Sequence, residues 1–165
     1  MIFVTLGTND KPFVRLIAAV EDAVKRGAIT EEVVVQSGFT KYESDVIRIF
    51  PYIDRNEFAD YMNRADLVIC HGGAGTIFTA LSLHKRILGA ARSMAEGEHV
   101  NDHQIQLLQA FEDQGYLIYM KDLSDITPYL KRAETFVPRE YKSHRDEMVS
   151  MIETWIDRNV TRKIK

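Results

Sequence analysis

The sequence predicts an α/β fold, a parallel sheet with helices covering both faces. Three observations lead there. Short apolar runs at Ile2–Leu6, Val33–Gln36 and Leu67–Cys70 have the length of strands and no polar alternation, as strands buried on both faces do. Between them, apolar residues recur at helical spacing. Several of the runs also end abruptly in glycine, at Gly7, Gly38 and Gly72-Gly73, which marks turns rather than continued strands.

Each element follows from local pattern. The first strand, Ile2 to Leu6, runs into the turn Gly7-Thr8-Asn9. Phe13, Leu16, Ile17, Val20 and Val24 then share one helical face, and Gly27 closes that helix. Val33–Gln36 is a buried strand ended by Ser37-Gly38, and Val46–Phe50 is another, ended by Pro51. Asn56 is placed to cap a helix through Arg64, with Phe58, Ala59, Met62 and Ala65 inward. The strand Leu67–Cys70 meets the glycine cluster, and a helix follows to about His84. Ile87–Ala91 makes a further strand, followed by a polar loop from Arg92 to Asn101. A helix carrying Ile105, Leu108 and Phe111 ends at Gly115, and Leu117–Tyr119 is the last strand.

The C-terminal quarter has a different character. From Lys131 to Lys165 basic residues outnumber acidic ones nine to six, whereas the whole chain carries a net −3. Met148, Met151, Ile152, Trp155 and Ile156 form an apolar stripe at helical spacing. A final helix packing back onto the sheet accounts for it, and such a stripe beside basic residues also suits a partner or the membrane surface. The expected organisation is a ligand-binding domain over residues 1–135 and a helical extension over residues 136–165, packed on the domain or on a partner.

Composition narrows the function classes. At 165 residues, with 45% hydrophobic and 27% charged content, the chain has the makeup of one globular domain with a proper core. A net charge of −3 argues against general nucleic-acid binding. The single cysteine, Cys70, lies in a strand pattern and reads as a small buried apolar residue suited to a reducing cytosol. Met1–Leu6 lacks a basic flank and reads as a strand rather than a signal peptide. No segment has the length of a membrane span.

The residues that point to chemistry are Cys70-His71-Gly72-Gly73-Ala74-Gly75-Thr76. A strand, a glycine turn and a helix start bring backbone N–H groups and the positive end of a helix dipole together, which suits a phosphate. The spacing is not the Gly-x4-Gly-Lys-Ser/Thr of a P-loop. Nor is it the Gly-x-Gly-x-x-Gly of a dinucleotide site, whose third position is Phe78 here. Gly73, Ala74, Gly75 and Thr76 are the expected diphosphate cradle. A branched side chain at Gly75 would fill the space a phosphate needs, and the turn is expected to have positive φ there. His71, at the strand end, either reaches the ligand or hydrogen-bonds the adjacent turn.

These residues carry a resemblance. The matching pieces are Val4-Thr5-Leu6-Gly7-Thr8, Gln36-Ser37-Gly38, Ala65–Ile69, His71-Gly72-Gly73-Ala74-Gly75-Thr76, Ala80-Leu81, Arg92 and Gly97-Glu98-His99-x-Asn101-Asp102-His103-Gln104. In them the chain resembles the C-terminal, donor-binding domain of family 28 glycosyltransferases, enzymes of two-domain GT-B architecture. It is most similar to the free-standing half-enzymes of that family: the small subunits of bacterial exopolysaccharide and capsule glycosyltransferase pairs, and the small subunit of the dolichol-pathway N-acetylglucosaminyltransferase. The resemblance covers roughly Met1 to Lys121. The chain departs from the family in two places. Many members have Glu, associated with the ribose hydroxyls, where this chain has Thr79, and two prolines usual in the strand before Arg92 are missing.

The resemblance implies a Rossmann-like domain equivalent to the C-terminal half of a GT-B glycosyltransferase. It implies a hexosyltransferase subunit that uses a UDP-sugar and a lipid-linked saccharide acceptor in polysaccharide biosynthesis. It further implies a membrane-anchored partner that binds the acceptor and supplies the general base, with this chain cytoplasmic and peripheral at the inner face of the membrane. Gly7 and Thr8 would face the cleft between the halves. Arg92, Glu98, His99, Asn101, Asp102, His103 and Gln104 would contact the donor sugar or its phosphate, and His71 and Thr79 are further candidates. The alternative for the loop is Asn101 or Asp102 as a helix cap with the others solvated. The chain contains no Asp-x-Asp, so leaving-group charge is expected to be met by the helix start, without metal or cofactor. His99 and His103 are four apart but lack a His-Glu-x-x-His pattern. Two other functions compete: a non-catalytic nucleotide-sugar-binding module that activates a transferase, and a small NAD enzyme, which the missing fingerprint disfavours.

Overall fold

The computed structural model describes residues 1–98, 103–142 and 145–159. Within them the strands are β1 (Ile2–Thr5), β2 (Val33–Gln36), β3 (Arg48–Phe50), β4 (Leu67–Cys70), β5 (Arg86–Gly89) and β6 (Ile118–Tyr119). They form one parallel sheet in the order β3-β2-β1-β4-β5-β6. Thr5 stands opposite Gln36 on one side and Cys70 on the other, and Cys70 opposite Gly89, so four strands end level along one edge.

Strand side chains alternate between two cores, as the pleat requires. Ile2, Val4, Val33, Val35, Leu67 and Ile69 point to one face. There α1 (Val14–Lys25) buries Leu16, Ile17 and Val20, and α5 (Thr127–Thr135) buries Leu130 and Ala133. Phe3, Val34, Val68 and Cys70 point to the other face. That side is covered by α2 (Arg55–Arg64), α3 (Ala74–Ser82) and α4 (His103–Asp113) through Met62, Ile77, Leu81, Leu108 and Phe111. Burying each such Leu, Ile, Phe or Met contributes about 1.5–3 kcal/mol. Leu108 sits against bare backbone: a β-carbon on Gly72 would lie 2.9 Å from its Cδ1, and one on Gly89 would overlap its Cδ2. Cys70 is fully buried, with its thiol pushed up to about 11 by desolvation, which fits a packing residue rather than a nucleophile.

Several boundaries differ from the sequence expectation. β3 starts at Arg48 rather than Val46, and β5 spans Arg86–Gly89 rather than Ile87–Ala91. Asp54, not Asn56, caps α2: its Oδ1 accepts from Asn56 N at 2.7 Å and Glu57 N at 2.9 Å, and Glu57 reaches back to Asp54 N. This capping box uses one of the helix's strongest local signals, Asp-x-x-Glu. The helix α5 has no counterpart in the sequence reading; Pro128 in its first turn and Asp125, which accepts from Thr127 N at 3.0 Å, start it.

After α5, residues 136–142 return across the second face. Arg139 N donates to Gly115 O at 2.8 Å, and the Tyr141 ring lies 5.3 Å from Phe78 of α3 and 6.2 Å from Tyr116. The last helix is α6 (Arg145–Asn159). Met151, Ile152, Trp155 and Ile156 are all exposed, and neither hydrophobic core includes them; the Met148 side chain lies outside the described residues. No described helix is long and apolar enough to cross a membrane.

Candidate functional site: a glycine-lined cleft at the strand ends

In a sheet of this order the chain winds one way from β1 to β2 and β3, and the other way through β4 to β6. The carboxyl ends of β1 and β4 therefore frame a crevice where ligands of such sheets bind. A cleft of about 540 Å³ lies there, lined by Thr5, Gly7 and Thr8 after β1, Gln36 of β2, and His71, Gly73, Gly75, Thr76 and Thr79 at the β4–α3 junction. Ile53, Asp54, Arg55 and Phe58 at the start of α2 complete the wall. Its volume is within the ~300–1,000 Å³ usual for small-molecule sites.

The floor is built by glycine. Gly7 (φ +71°) and Gly72 (φ +78°) adopt left-handed backbone that other residues enter at a cost. The His71 ring fits between two bare backbones: a β-carbon on Gly7 would lie 2.5 Å from its Cε1, and one on Gly73 would collide with its Nε2. His71 Nδ1 lies 3.3 Å from Thr5 O. A carbonyl only accepts, so Nδ1 carries the proton in that bond. His71 thus bonds β1 rather than the adjacent turn, and it lines the cleft.

Gly73 ends β4's turn and caps α3 with no side chain, and no acidic residue occupies the helix's first turn. The first N–H groups of α3 thus lack intrahelical partners, and Gly73, Gly75 and Thr76 line the cleft. One detail of the expected turn is different. Gly75 is the second residue of α3 and is not among the positive-φ residues; the left-handed position is Gly72. A β-carbon at Gly75 would meet nothing within 4 Å. Thr79 donates its hydroxyl to Gly75 O at 2.8 Å, which leaves its oxygen as an acceptor toward the cleft.

The loop residues divide differently. Arg92, Glu98, His103 and Gln104 are not among the cleft's lining residues. Arg92 is 1% exposed, donating from Nη2 to Leu6 O at 3.0 Å, and its backbone N donates to Gln104 Oε1 at 3.0 Å. Glu98 accepts from Arg15 Nε and Nη2 at 2.8 and 2.7 Å and from Ser93 N at 3.0 Å. Arg92 and Glu98 are thus buried, and half-buried Gln104 is bonded to the Arg92 backbone, away from the cleft's lining. His103 opens α4 at an exposed position. His99, Asn101 and Asp102 lie outside the described residues.

Sequence reasoning missed Thr5, Gln36, Ile53, Asp54, Arg55 and Phe58 as cleft residues. The available signals were the capping box, which fixes where α2 begins, and the position of Gln36 at a strand end. Thr5 Oγ1 donates to Gln36 Oε1 at 2.9 Å, tying β1 to β2 at the cleft floor.

The strand order and the cleft at its switch point define a Rossmann-like domain of the type that holds ligands at strand carboxyl ends. The chain belongs to glycosyltransferase family 28, matching the model of that family's C-terminal domain over residues 1–152. It is similar to a UDP-N-acetylglucosamine–N-acetylmuramyl-(pentapeptide) pyrophosphoryl-undecaprenol N-acetylglucosamine transferase of Clostridium kluyveri, with 30% identity over 107 residues. That match takes in 64% of this chain and 26% of the relative, so the chain spans about a quarter of the relative's length. Among solved structures, ALG13 in solution aligns with a TM-score of 0.58 at 19% identity, covering 91% of this chain and 93% of that one. Acinetobacter baumannii MurG aligns with a TM-score of 0.56 at 17% identity, covering 80% and 40%. At such identities these structures speak to fold, and the fold is that of the C-terminal half of a GT-B glycosyltransferase.

Proposed function

We propose that this chain is the donor-binding subunit of a heteromeric, inverting, metal-independent glycosyltransferase that moves a sugar from a UDP-sugar to a lipid-linked acceptor in polysaccharide biosynthesis. The observation that carries the reading is the cleft itself, where Gly7, Gly73, Gly75 and Thr76 line a space beneath the open start of α3. In such a transfer the acceptor oxygen bonds to the anomeric carbon as that carbon's bond to the diphosphate breaks, and negative charge grows on the departing UDP. Fixed N–H dipoles at a helix start meet that charge without reorganising. Ile53 and Phe58 offer the apolar wall a nucleobase needs, and Arg55 adds a cation at the same wall.

The acceptor hydroxyl must also lose a proton. Among the described residues Asp54 is the one carboxylate lining the cleft, and its Oδ1 serves two backbone N–H groups as a helix cap. That supports a general base on a membrane-anchored partner, which would also bind the acceptor and hold this chain at the inner face of the membrane. The exposed apolar residues of α6 are a candidate docking surface. One observation favours the second reading, a non-catalytic nucleotide-sugar-binding module. Thr79 offers one hydroxyl oxygen as an acceptor, a weaker and neutral partner, where many relatives present a carboxylate to ribose.

Calorimetry with UDP, with and without EDTA and against NAD and ATP, tests the site. UDP is expected to bind weakly and equally in both buffers; binding abolished by EDTA and restored by manganese would overturn the metal-free mechanism. Sugar transfer by the reconstituted pair, lost on mutation of the glycine turn, separates a transferase from a module. Robust transfer by the purified chain alone would overturn the two-subunit reading.

A further inference from the structure

Among the described residues Arg92 is the largest side chain buried to below 2% exposure, and its Nε and Nη1 have no hydrogen-bond acceptor there. A buried guanidinium with two bare donors is costly, and structures retain few such groups without a use for them. Two carboxylates, Glu98 and Asp10, act on it through their charge, but neither bonds it. Glu98 is held instead by the fork of Arg15. Burial pulls the Arg92 pKa below its ordinary value, the mark of a cation short of solvation.

What Arg92 does touch is the strand that leads into the cleft. Its Nη2 donates to Leu6 O, one residue before the left-handed Gly7, and its guanidinium carbon lies 5.4 Å from the centroid of the Phe13 ring. Leu6 N donates to Gln36 O at 3.0 Å, and Phe13 N donates to Thr40 Oγ1 at 2.9 Å. The Gly7–Pro12 segment is therefore pinned at both ends, and Arg92 holds one of the pins.

We propose that Arg92 is a positioning residue for the donor diphosphate: it fixes the Leu6–Gly7 turn from behind and leaves a buried positive charge, bonded to no carboxylate, at the edge where the phosphates sit. The inference rests on the nucleotide-sugar reading above and replaces direct contact of Arg92 with the ligand. Charge in a poorly screened interior acts on a diphosphate far more than on a neutral nucleoside. The Arg15–Glu98 pair gains a role too, because it keeps the Glu98 carboxylate off the bare nitrogens of Arg92.

The test compares UDP with uridine by calorimetry on the folded full-length chain at two salt concentrations. Arg92→Met is expected to weaken UDP about tenfold or more while leaving uridine affinity unchanged; Arg92→Lys keeps the charge and should retain most UDP affinity. A merely structural role would move UDP and uridine together. Arg15→Gln covers the case in which Arg92→Met does not fold. It frees Glu98 to bond Arg92 and should lower UDP affinity selectively, and adding Glu98→Gln should restore it. Equal UDP affinity in wild type and Arg92→Met, or parallel loss of UDP and uridine in the folded variants, overturns the inference and leaves the nucleotide reading standing. Failure of the wild-type chain to bind UDP overturns that reading, and the inference with it.

Discussion

Gly75 offers a perturbation whose effects on folding and on binding have opposite signs. It lies inside α3 with helical backbone, and a β-carbon there meets nothing within 4 Å. Gly75→Ala therefore adds no clash and no strained φ, and removes unfolded-chain freedom, worth roughly 0.5–1 kcal/mol of added stability. For a chain of this length that is a rise in Tm of about 1–4 °C. The same β-carbon projects from the floor of the proposed phosphate site. A phosphate oxygen bonded to a first-turn N–H sits about 2.9 Å from nitrogen, within reach of an added methyl group. A tenfold or greater loss of UDP affinity, ~1.4 kcal/mol or more, is the expected result. Gly75→Val should cost more affinity, with little net change in stability because valine is a poor helix former. Thermal unfolding by circular dichroism and UDP calorimetry on one preparation give both numbers. A Gly75→Ala protein that melts several degrees lower would refute the open-space argument. A folded Gly75→Val protein with unchanged UDP affinity would remove this turn from the site.

Other substitutions test other parts of the structure. Gly7→Ala combines a φ of +71° with a β-carbon 2.5 Å from the His71 ring, so a loss of about 2–4 kcal/mol is expected in urea unfolding; a loss below ~0.5 kcal/mol would contradict the packing. Deleting Met148–Lys165 should leave the melting transition nearly unchanged, because the described α6 apolar side chains are exposed, and should weaken partner association; an unfolded truncation would show the helix to be core. Trp155, the sole tryptophan and 61% exposed, should shift its emission to the blue when the partner binds, and no shift on binding would place the interface elsewhere. Asp125, held at about 2 by Thr127 and then Arg26, binds fewer protons folded than unfolded between that value and its ordinary 3.8. Its contribution is present above that window and is lost as pH falls through about 2; an NMR titration midpoint near 3.8 would refute the Thr127 and Arg26 contacts.

The sheet was largely legible because its strands are apolar on both faces and end at glycine. Val33–Gln36 and Leu67–Cys70 were read to the residue, since a period-free apolar run of four has no competing helical reading there. The start of α2 was misplaced because Asn56 and Asp54 are both good caps, and only the reciprocal bond from Glu57 distinguishes them. The helix α5 escaped because nine residues with a thin apolar stripe resemble a loop until the sheet supplies a surface to cover. The glycine turn was legible as a strand-to-helix junction with open N–H groups because backbone geometry is local. The burial of Arg92 and Glu98 was not legible, since their partners Leu6 and Arg15 lie more than 80 residues away in sequence. The α6 stripe was periodic enough to show a helix, but periodicity does not say what covers it.

The contact of Leu108 with Gly72 and Gly89 also constrains how this chain diverges. Both glycines present bare backbone to one side chain, and a β-carbon on either would occupy space that Leu108 now fills. Drift at these three positions is therefore not independent. Alanine at 72 or 89 requires the Leu108 side chain to shift or shorten, and shortening it alone opens a void costing about 2–5 kcal/mol. Gly72 carries a second restriction through its left-handed φ, so Gly89 is the member of the pair free to change in step with Leu108. A family alignment should show positions 89 and 108 exchanging volume, while position 72 stays glycine.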